Sequence, residues 1–492
     1  MSSNIEERVR ATLRVGVALL LLSPYLIWIL QVPQWTWPAA TEWMAALRNS
    51  FSQAGLSSVL AFIAGFYLFR ALQSWRGSRW QSGAELALLL PNMVPALFLV
   101  MSFLSLAAPF GVLPYGFSAV VFAHVWLNAG LVAVAIDRLV HHKLGGLAET
   151  AWVLGASSRL FWRKVALPYI GGDLASVFLF VFSLCFTSFS IPLLLSGERV
   201  LTVEVAIFDA IRMEGSWDKA VLLAAFQSLM LFSLAILLPE PFWPRKPARA
   251  PLEFLVWCRG RHLVFVPALI VIVGWLKGLG SGLFMDMDMD MGVPARGVLI
   301  EALLTTAIVA LSVGLFHVAF FLVTAFVSPH ARLNRFLNGY LAPSPVITGF
   351  GLLLIPVDGD LINLGKLVLA LSLISIPYLY RWIVHSALAS VRGQVITARA
   401  LGASWRSILV DVVWPQTASP LLRASGLAAV WAAGDFALSG ILIGEAQTLP
   451  LVMESLLSRY RFEAAQLLML PLVILCLLIY AIFMGAARYV SR

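Results

Sequence analysis

ETAWVLGASSRLFWRKVALP at residues 149–168 and ITARALGASWRSILVDVVWP at residues 396–415 are one polar segment written twice. At an offset of 247 they agree at Thr150/Thr397, Ala151/Ala398, Leu154/Leu401, Gly155/Gly402, Ala156/Ala403, Ser157/Ser404, Arg159/Arg406, Val165/Val412 and Pro168/Pro415. The same offset pairs Phe189 with Phe436 and Gly197-Glu198 with Gly444-Glu445, and it is close to half of the 492 residues. The chain therefore reads as a tandem repeat. Each copy of the segment lies between long apolar runs, so a function must be found for a duplicated polar element in a protein that otherwise avoids polarity.

That avoidance is pronounced. The chain is 60% hydrophobic and 12% charged, with a mean hydropathy of +0.90, whereas about a quarter of the residues of a soluble domain are charged. The apolar runs have the length, roughly 20 residues, that an α-helix needs to cross about 30 Å of hydrocarbon. The ten-residue alternation of a membrane barrel is missing. The expected fold class is all-α integral membrane, with about 12 transmembrane helices as two parallel six-helix repeats. The expected spans lie near 12–33, 48–70, 85–107, 117–138, 174–195, 219–239, 262–284, 298–327, 338–357, 364–385, 420–443 and 464–487. The expected organisation is a first unit at 1–239, a cytoplasmic linker at 240–261 and a second unit at 262–492. The linker follows from the Pro-rich, basic run PEPFWPRKPARAPLEF, which begins at Pro239.

An even number of spans puts both termini on one side. Loops on that side hold about 25 of the 34 Lys and Arg, among them Arg76, Arg79, Lys143, Arg163, Lys164, Arg245 and Lys246, which predicts cytoplasmic termini. The net charge of +9 is thereby explained as topology, and a nucleic-acid partner is not expected. The first apolar run lacks a small-residue cleavage site and reads as a retained helix. Cys185, Cys258 and Cys476 show no disulfide or metal spacing. MDMDMDM at 285–291 mixes thioethers, which suit soft ions, with carboxylates, which suit hard ones, so it selects no metal. It reads as a low-complexity outer loop.

Within the spans, Pro91, Pro95, Pro343 and Pro345 mark expected helix breaks, because proline removes a backbone donor and kinks a helix. Asp435 falls inside the eleventh expected span, where a charge costs about 2.5–3.5 kcal/mol on insertion scales. Two readings follow: it lines a translocation path with Ser188 of the first copy, or it accepts hydrogen bonds from a neighbouring helix. His124, Asn128, Asn92, His317 and His385 are polar residues within spans that individually read as helix contacts.

The duplicated segment predicts a short helix stopping at Gly155 or Gly402, the usual residue for a left-handed exit. A second helix then starts on Ser157 or Ser404 as N-cap and runs to Pro168 or Pro415. A helix, a sharp turn lined with small residues and a second helix, flanked by basic residues, suit docking of a soluble partner.

This pattern resembles the cytoplasmic EAA loop of the inner-membrane permeases of binding-protein-dependent ABC importers. The first copy has Glu149-Thr150-Ala151, Gly155 and Leu167-Pro168; the second has Ile396-Thr397-Ala398, Gly402 and Trp414-Pro415, and so lacks the acidic residue. The resemblance implies that loops at about 139–173 and 386–419 hold the coupling helices that dock on an ATPase subunit. Glu149, Ala151, Gly155, Pro168, Ala398, Gly402 and Pro415 are the residues placed there. It also implies two copies of an ABC ATPase subunit, a periplasmic solute-binding protein and a multi-pass site in a bacterial inner membrane. No G-x-x-x-x-G-K-[ST] occurs in the sequence, so no cofactor is expected on this chain and ATP is expected to be used by the partner. Among fused permeases the resemblance runs to the thiamine and ferric-iron branch, and CFTSFSIPLLLSG from Cys185, LTVEVAIFDAI from Leu201, GDFALSGILIGEAQTLPL from Gly434 and SRYRFEAA from Ser458 look more like the thiamine permeases, so the implied substrate is thiamine (or its phosphates), with ferric iron as the alternative. The rival reading is a twelve-span secondary transporter, which would need an ion relay inside the bundle; a membrane enzyme ranks below it.

Overall fold

The computed structural model describes residues 3–32, 40–107, 115–197, 201–236, 260–283, 294–327, 336–337, 344–443 and 447–490. The Pro-rich linker up to residue 259, the Met-Asp tract, Pro343, Cys258, Glu198, Gly444 and Glu445 lie outside them.

Helices fill the first half in the order α1 (Ser3–Gln31), α2 (Ala40–Gln73), α3 (Gln81–Met93), α4 (Ala96–Ala107), α5 (Phe117–Leu139), α6 (Gly145–Val153), α7 (Ser158–Phe161), α8 (Leu167–Phe186), α9 (Ser190–Leu195), α10 (Val203–Arg212) and α11 (Trp217–Ile236). The second half continues with α12 (Val266–Leu283), α13 (Arg296–Val327), α14 (Pro345–Leu353), α15 (Asp360–Leu379), α16 (His385–Ala400), α17 (Trp405–Ser407), α18 (Trp414–Ala433), α19 (Ala437–Leu442), α20 (Leu449–Ser458) and α21 (Phe462–Val490). The repeat is visible in the boundaries. Adding 247 to the limits of α8 and α9 gives those of α18 and α19.

Among the described residues nine helices are long and apolar enough to cross a membrane, or ten if α3 and α4, bent by 94°, form one broken span. The expected count of twelve is not confirmed by the described residues, where two of the expected spans look different from the expectation. Near 338–357 the described helix is only the nine residues of α14, which starts at Pro345 behind Ser344, whose hydroxyl accepts from the Ile347 N–H at 3.1 Å. Near 420–443 the chain is interrupted after Ala433, and α19 restarts at Ala437. Pro95 and Pro345 stand at helix starts or breaks, as their missing N–H predicts. Pro91 is buried inside α3 instead.

The chain packs as two compact units that do not follow the linear halves. One unit comprises Met1–Ala40, Ala206–Ala235 and Ser281–Arg492; the other comprises Thr41–Val205 and Ile236–Gly280. The first helix of each half therefore packs in the unit built mainly from the opposite half. In the larger unit the Trp28 indole of α1 donates to the Ile347 carbonyl at 2.9 Å. A Cβ on Gly351 of α14 would lie 2.7 Å from the Trp28 ring and 2.9 Å from the Pro24 carbonyl oxygen. In the smaller unit Ser102 donates to the Val271 carbonyl at 3.1 Å, Trp126 to that of Pro267 at 3.1 Å, and Lys277 to that of Ser105 at 2.7 Å. There Gly274 plays the corresponding part, since its Cβ would lie 2.4 Å from the Ser102 carbonyl oxygen. In a bilayer no apolar driving force separates helix from lipid, so close backbone approach at small residues and buried hydrogen bonds select the neighbour.

Candidate functional site

Both polar loops form the predicted turn, and the reason is the same in each. In the first, α6 ends at Val153 with Leu154 as its C-cap, and Gly155 takes φ +73°. The Ala156 N–H reaches back to the Ala151 carbonyl at 2.9 Å and the Gly155 N–H to that of Trp152 at 3.0 Å. In the second, Gly402 takes φ +81°, Ala403 donates to Ala398 at 3.0 Å and Gly402 to Arg399 at 2.9 Å. This paired 6→1 and 5→2 bonding is the Schellman stop, which needs a left-handed residue that glycine supplies without steric cost. Ser157 then accepts from the Leu160 N–H at 3.3 Å and Ser404 from the Ser407 N–H at 3.2 Å, capping the next helix in each copy.

The helix after the cap does not stop at the proline. It widens into a π turn, Trp162–Ala166 in the first copy and Ile408–Val413 in the second, and runs on as α8 or α18. A proline ring collides with the carbonyl four residues back. For Pro168 that is Lys164 and for Pro415 it is Asp411, both inside the widened turn. There Leu167 and Trp414 bond to carbonyls five residues back instead, those of Trp162 and Leu409. Two more π turns, Val140–Leu144 and Tyr380–Val384, precede the loops.

At their tips the loops present apolar side chains. Trp152, Val153 and Leu154 are 57%, 78% and 78% exposed, and Ile396 and Leu401 are 55% and 82% exposed. Gly155, Gly402, Pro168 and Pro415 are exposed, while Glu149, Ala151 and Ala398 are half-buried on the helices behind the turn. Below these tips the loops are anchored. Phe161 is buried at the root of the first. In the second, buried Trp405 lies under the Arg10 guanidinium, 4.2 Å from the ring centroid, with Arg399 at 5.3 Å and Phe326 edge-on at 5.8 Å.

The first loop also carries ionic supports whose residues the sequence showed only as basic topology signals or not at all. Lys143, at the end of the π turn, donates to both carboxylate oxygens of Asp173 on α8 at 2.7 Å, and so ties together the two strands of chain that enter and leave the loop. The second loop has Gln416 donating to Gln394 in a comparable place. Just before the first loop, Asp137 accepts from Gln73 at 2.6 Å and Arg76 at 3.0 Å, and His141 bonds the Gln73 oxygen at 2.8 Å. A buried network of this kind fixes the end of α2 against the end of α5.

Asp435 and Ser188 both sit at breaks between helices, α18/α19 and α8/α9. The Asp435 carboxylate accepts from the Leu438 and Ser439 N–H groups at 2.9 and 3.1 Å. Its hydrogen bonds are thus local, to the start of α19, and these donors satisfy a charge that insertion scales penalise.

Residues 278–492 match the family described as binding-protein-dependent transport system inner membrane component, and along most of its length the chain is similar to transport permease proteins. It is 26% identical to the thiamine transport system permease protein ThiP of Escherichia coli strain K12, over 96% of this chain and 94% of that protein. It is 25% identical to ThiP of Haemophilus influenzae, over 88% and 86%. A shorter match, 28% identical over 32% of this chain and 57% of the other, is to the putrescine transport system permease protein PotI of E. coli. No solved structure gives a significant match.

Proposed function

We propose that the chain forms the solute path of a thiamine importer and transmits ATP hydrolysis from two copies of a separate ABC ATPase through loops 139–173 and 386–419. One observation carries the coupling role: the same glycine-stopped turn occurs twice and holds Leu154 and Leu401, 78% and 82% exposed, at its tip. An exposed leucine on an ordered turn is apolar area available to a partner. With docking and basic loops on the cytoplasmic side, both termini are cytoplasmic, and solute arrives from a periplasmic binding protein. Thiamine is favoured over ferric iron because the relatives matched along most of the chain carry thiamine in their names. Asp435 and Ser188, at matching helix breaks, are candidates for the path, since discontinuous helices near the membrane interior are where transporters place their solutes. ATP serves the partner, and this chain holds no cofactor.

The test is uptake of radiolabelled thiamine into proteoliposomes. The proposal expects uptake only with ATPase, ATP and binding protein all present. Uptake by the chain alone, driven by an ion gradient, would favour a secondary transporter.

A further inference from the structure

Two pairs of polar side chains, each one helical turn apart, are buried in the unit that contains Thr41–Val205: Gln53 and Ser57 on α2, His124 and Asn128 on α5. All four are at most 1% exposed. Among the described residues, five of their polar atoms have no hydrogen-bond partner: Gln53 Oε1, Ser57 Oγ, both ring nitrogens of His124, and Asn128 Oδ1. The two amides converge on one residue. The Gln53 amide nitrogen donates to the Cys185 carbonyl at 2.7 Å, and that of Asn128 lies 3.5 Å from the Cys185 sulfur while also donating to the His124 carbonyl at 2.9 Å. Cys185 lies in the last turn of α8, which ends at Phe186 with Thr187 as its C-cap. Unpaired polar groups in such a place are strongly disfavoured, and a helix break beside them is the setting in which membrane transporters hold solute.

The other unit provides the contrast. There His317 is also fully buried, yet one ring nitrogen meets the Val313 carbonyl at 2.8 Å and the other the Ser375 hydroxyl at 3.0 Å. Among the described residues, one buried imidazole has two partners and the other has none.

We propose that Gln53, Ser57, His124 and Asn128 form a solute-binding site in the first repeat, for an organic solute bearing N–H and O–H donors. This rests on the importer reading above. The amide oxygens can only accept, and the imidazole adds one acceptor and one donor, so the ligand must supply at least two donors. Thiamine has an aromatic amine and a hydroxyl. A ferric ion, which prefers anionic oxygen ligands, is poorly matched by this neutral set.

His124→Phe is the cleanest test, because a phenyl ring of similar size deletes no hydrogen bond the protein makes. In proteoliposomes holding the complete importer, ATP-driven uptake of radiolabelled thiamine should fall about tenfold or more. Assembly with the ATPase and the thermal midpoint should stay at or above wild type. His317→Phe is the comparison: it breaks two bonds and should lower the midpoint. Wild-type uptake by His124→Phe would overturn the proposal. So would a midpoint loss like that of His317→Phe, since the imidazole would then be held by a structural partner such as a buried water. Should wild type carry no thiamine, the thiamine reading fails separately. Stimulation of ATPase activity by loaded binding protein then decides the site, with loss in His124→Phe supporting it and wild-type stimulation refuting it.

Discussion

Replacing Leu154 by alanine should weaken ATPase docking without disturbing the permease itself. Leu154 is 78% exposed, so most of its side chain is still in water and available for burial by a partner. Leu→Ala removes three carbons, and at about 0.8 kcal/mol per buried CH₂ the loss is about 2.4 kcal/mol. With about 1.4 kcal/mol per decade of equilibrium constant, the affinity of the first loop for the ATPase should fall about fiftyfold. Leu401→Ala, at the equivalent tip and 82% exposed, should cost the second contact a similar amount. The assay is ATPase binding to the permease in nanodiscs, read by interferometry, with thermal stability of the free permease measured beside it. Phe161→Ala gives the opposite signature, because Phe161 is 1% exposed and a cavity of that kind costs about 3–5 kcal/mol of folding stability. Wild-type affinity in Leu154→Ala, with both proteins folded, would refute the assignment of this tip to the docking contact.

Gly155→Asp should insert and fold with a stability loss of about 1 kcal/mol, since a Cβ there meets nothing within 4 Å and Asp tolerates the left-handed region; ATP-driven uptake should nevertheless be lost, and uptake at the normal rate would remove Gly155 from the contact. Lys143→Asp should lower coupled transport and cost about 1–3 kcal/mol, between an exposed and a buried pair, while the exchanged pair Lys143→Asp with Asp173→Lys should restore both; no recovery would mean the ion pair does not set the loop. Asp435→Asn keeps a good helix cap and removes the charge, so slower uptake with unchanged stability supports a path role, and Asp435→Ala should in addition lose about 1 kcal/mol of stability. Burial, and secondarily the Glu214 charge, raises the Asp209 carboxyl pKa; its contribution is full below the unfolded pKa and fades as pH rises through the raised one. Asp209→Asn should flatten that decline in a pH series of thermal midpoints.

The turn was legible because its rules are local. Gly155 and Gly402 stop a helix for a steric reason, Ser157 and Ser404 cap one for a hydrogen-bonding reason, and neither depends on distant packing. The continuation through Pro168 and Pro415 was not legible, because a π turn depends on how the helix is held at both ends. Hydropathy gave the helical membrane class, but it did not foresee that the described helix α14 starts only at Pro345 or that α18 ends at Ala433, just ahead of Asp435. Exchange of the first helices was invisible, since apolar periodicity marks a buried face and not the neighbour that buries it. Gly274 and Gly351 carried the only signal, and a glycine in a membrane helix is too common to be read alone. Lys143 and Arg76 are visible in the sequence only as charges that set topology, and nothing local marks Asp173 and Asp137 as their partners. His124 and His317 look alike in sequence; only the structure separates the one with two partners from the one with none.

Whether this single chain offers two docking loops is decided by the stoichiometry of the assembled importer. Native mass spectrometry of the complex purified through a tag on this chain should give one permease to two ATPase subunits, falling to one in a variant whose first loop carries Leu154→Asp and Gly155→Asp together. A wild-type complex holding a single ATPase, or two that persist when the first loop is so altered, would contradict the account.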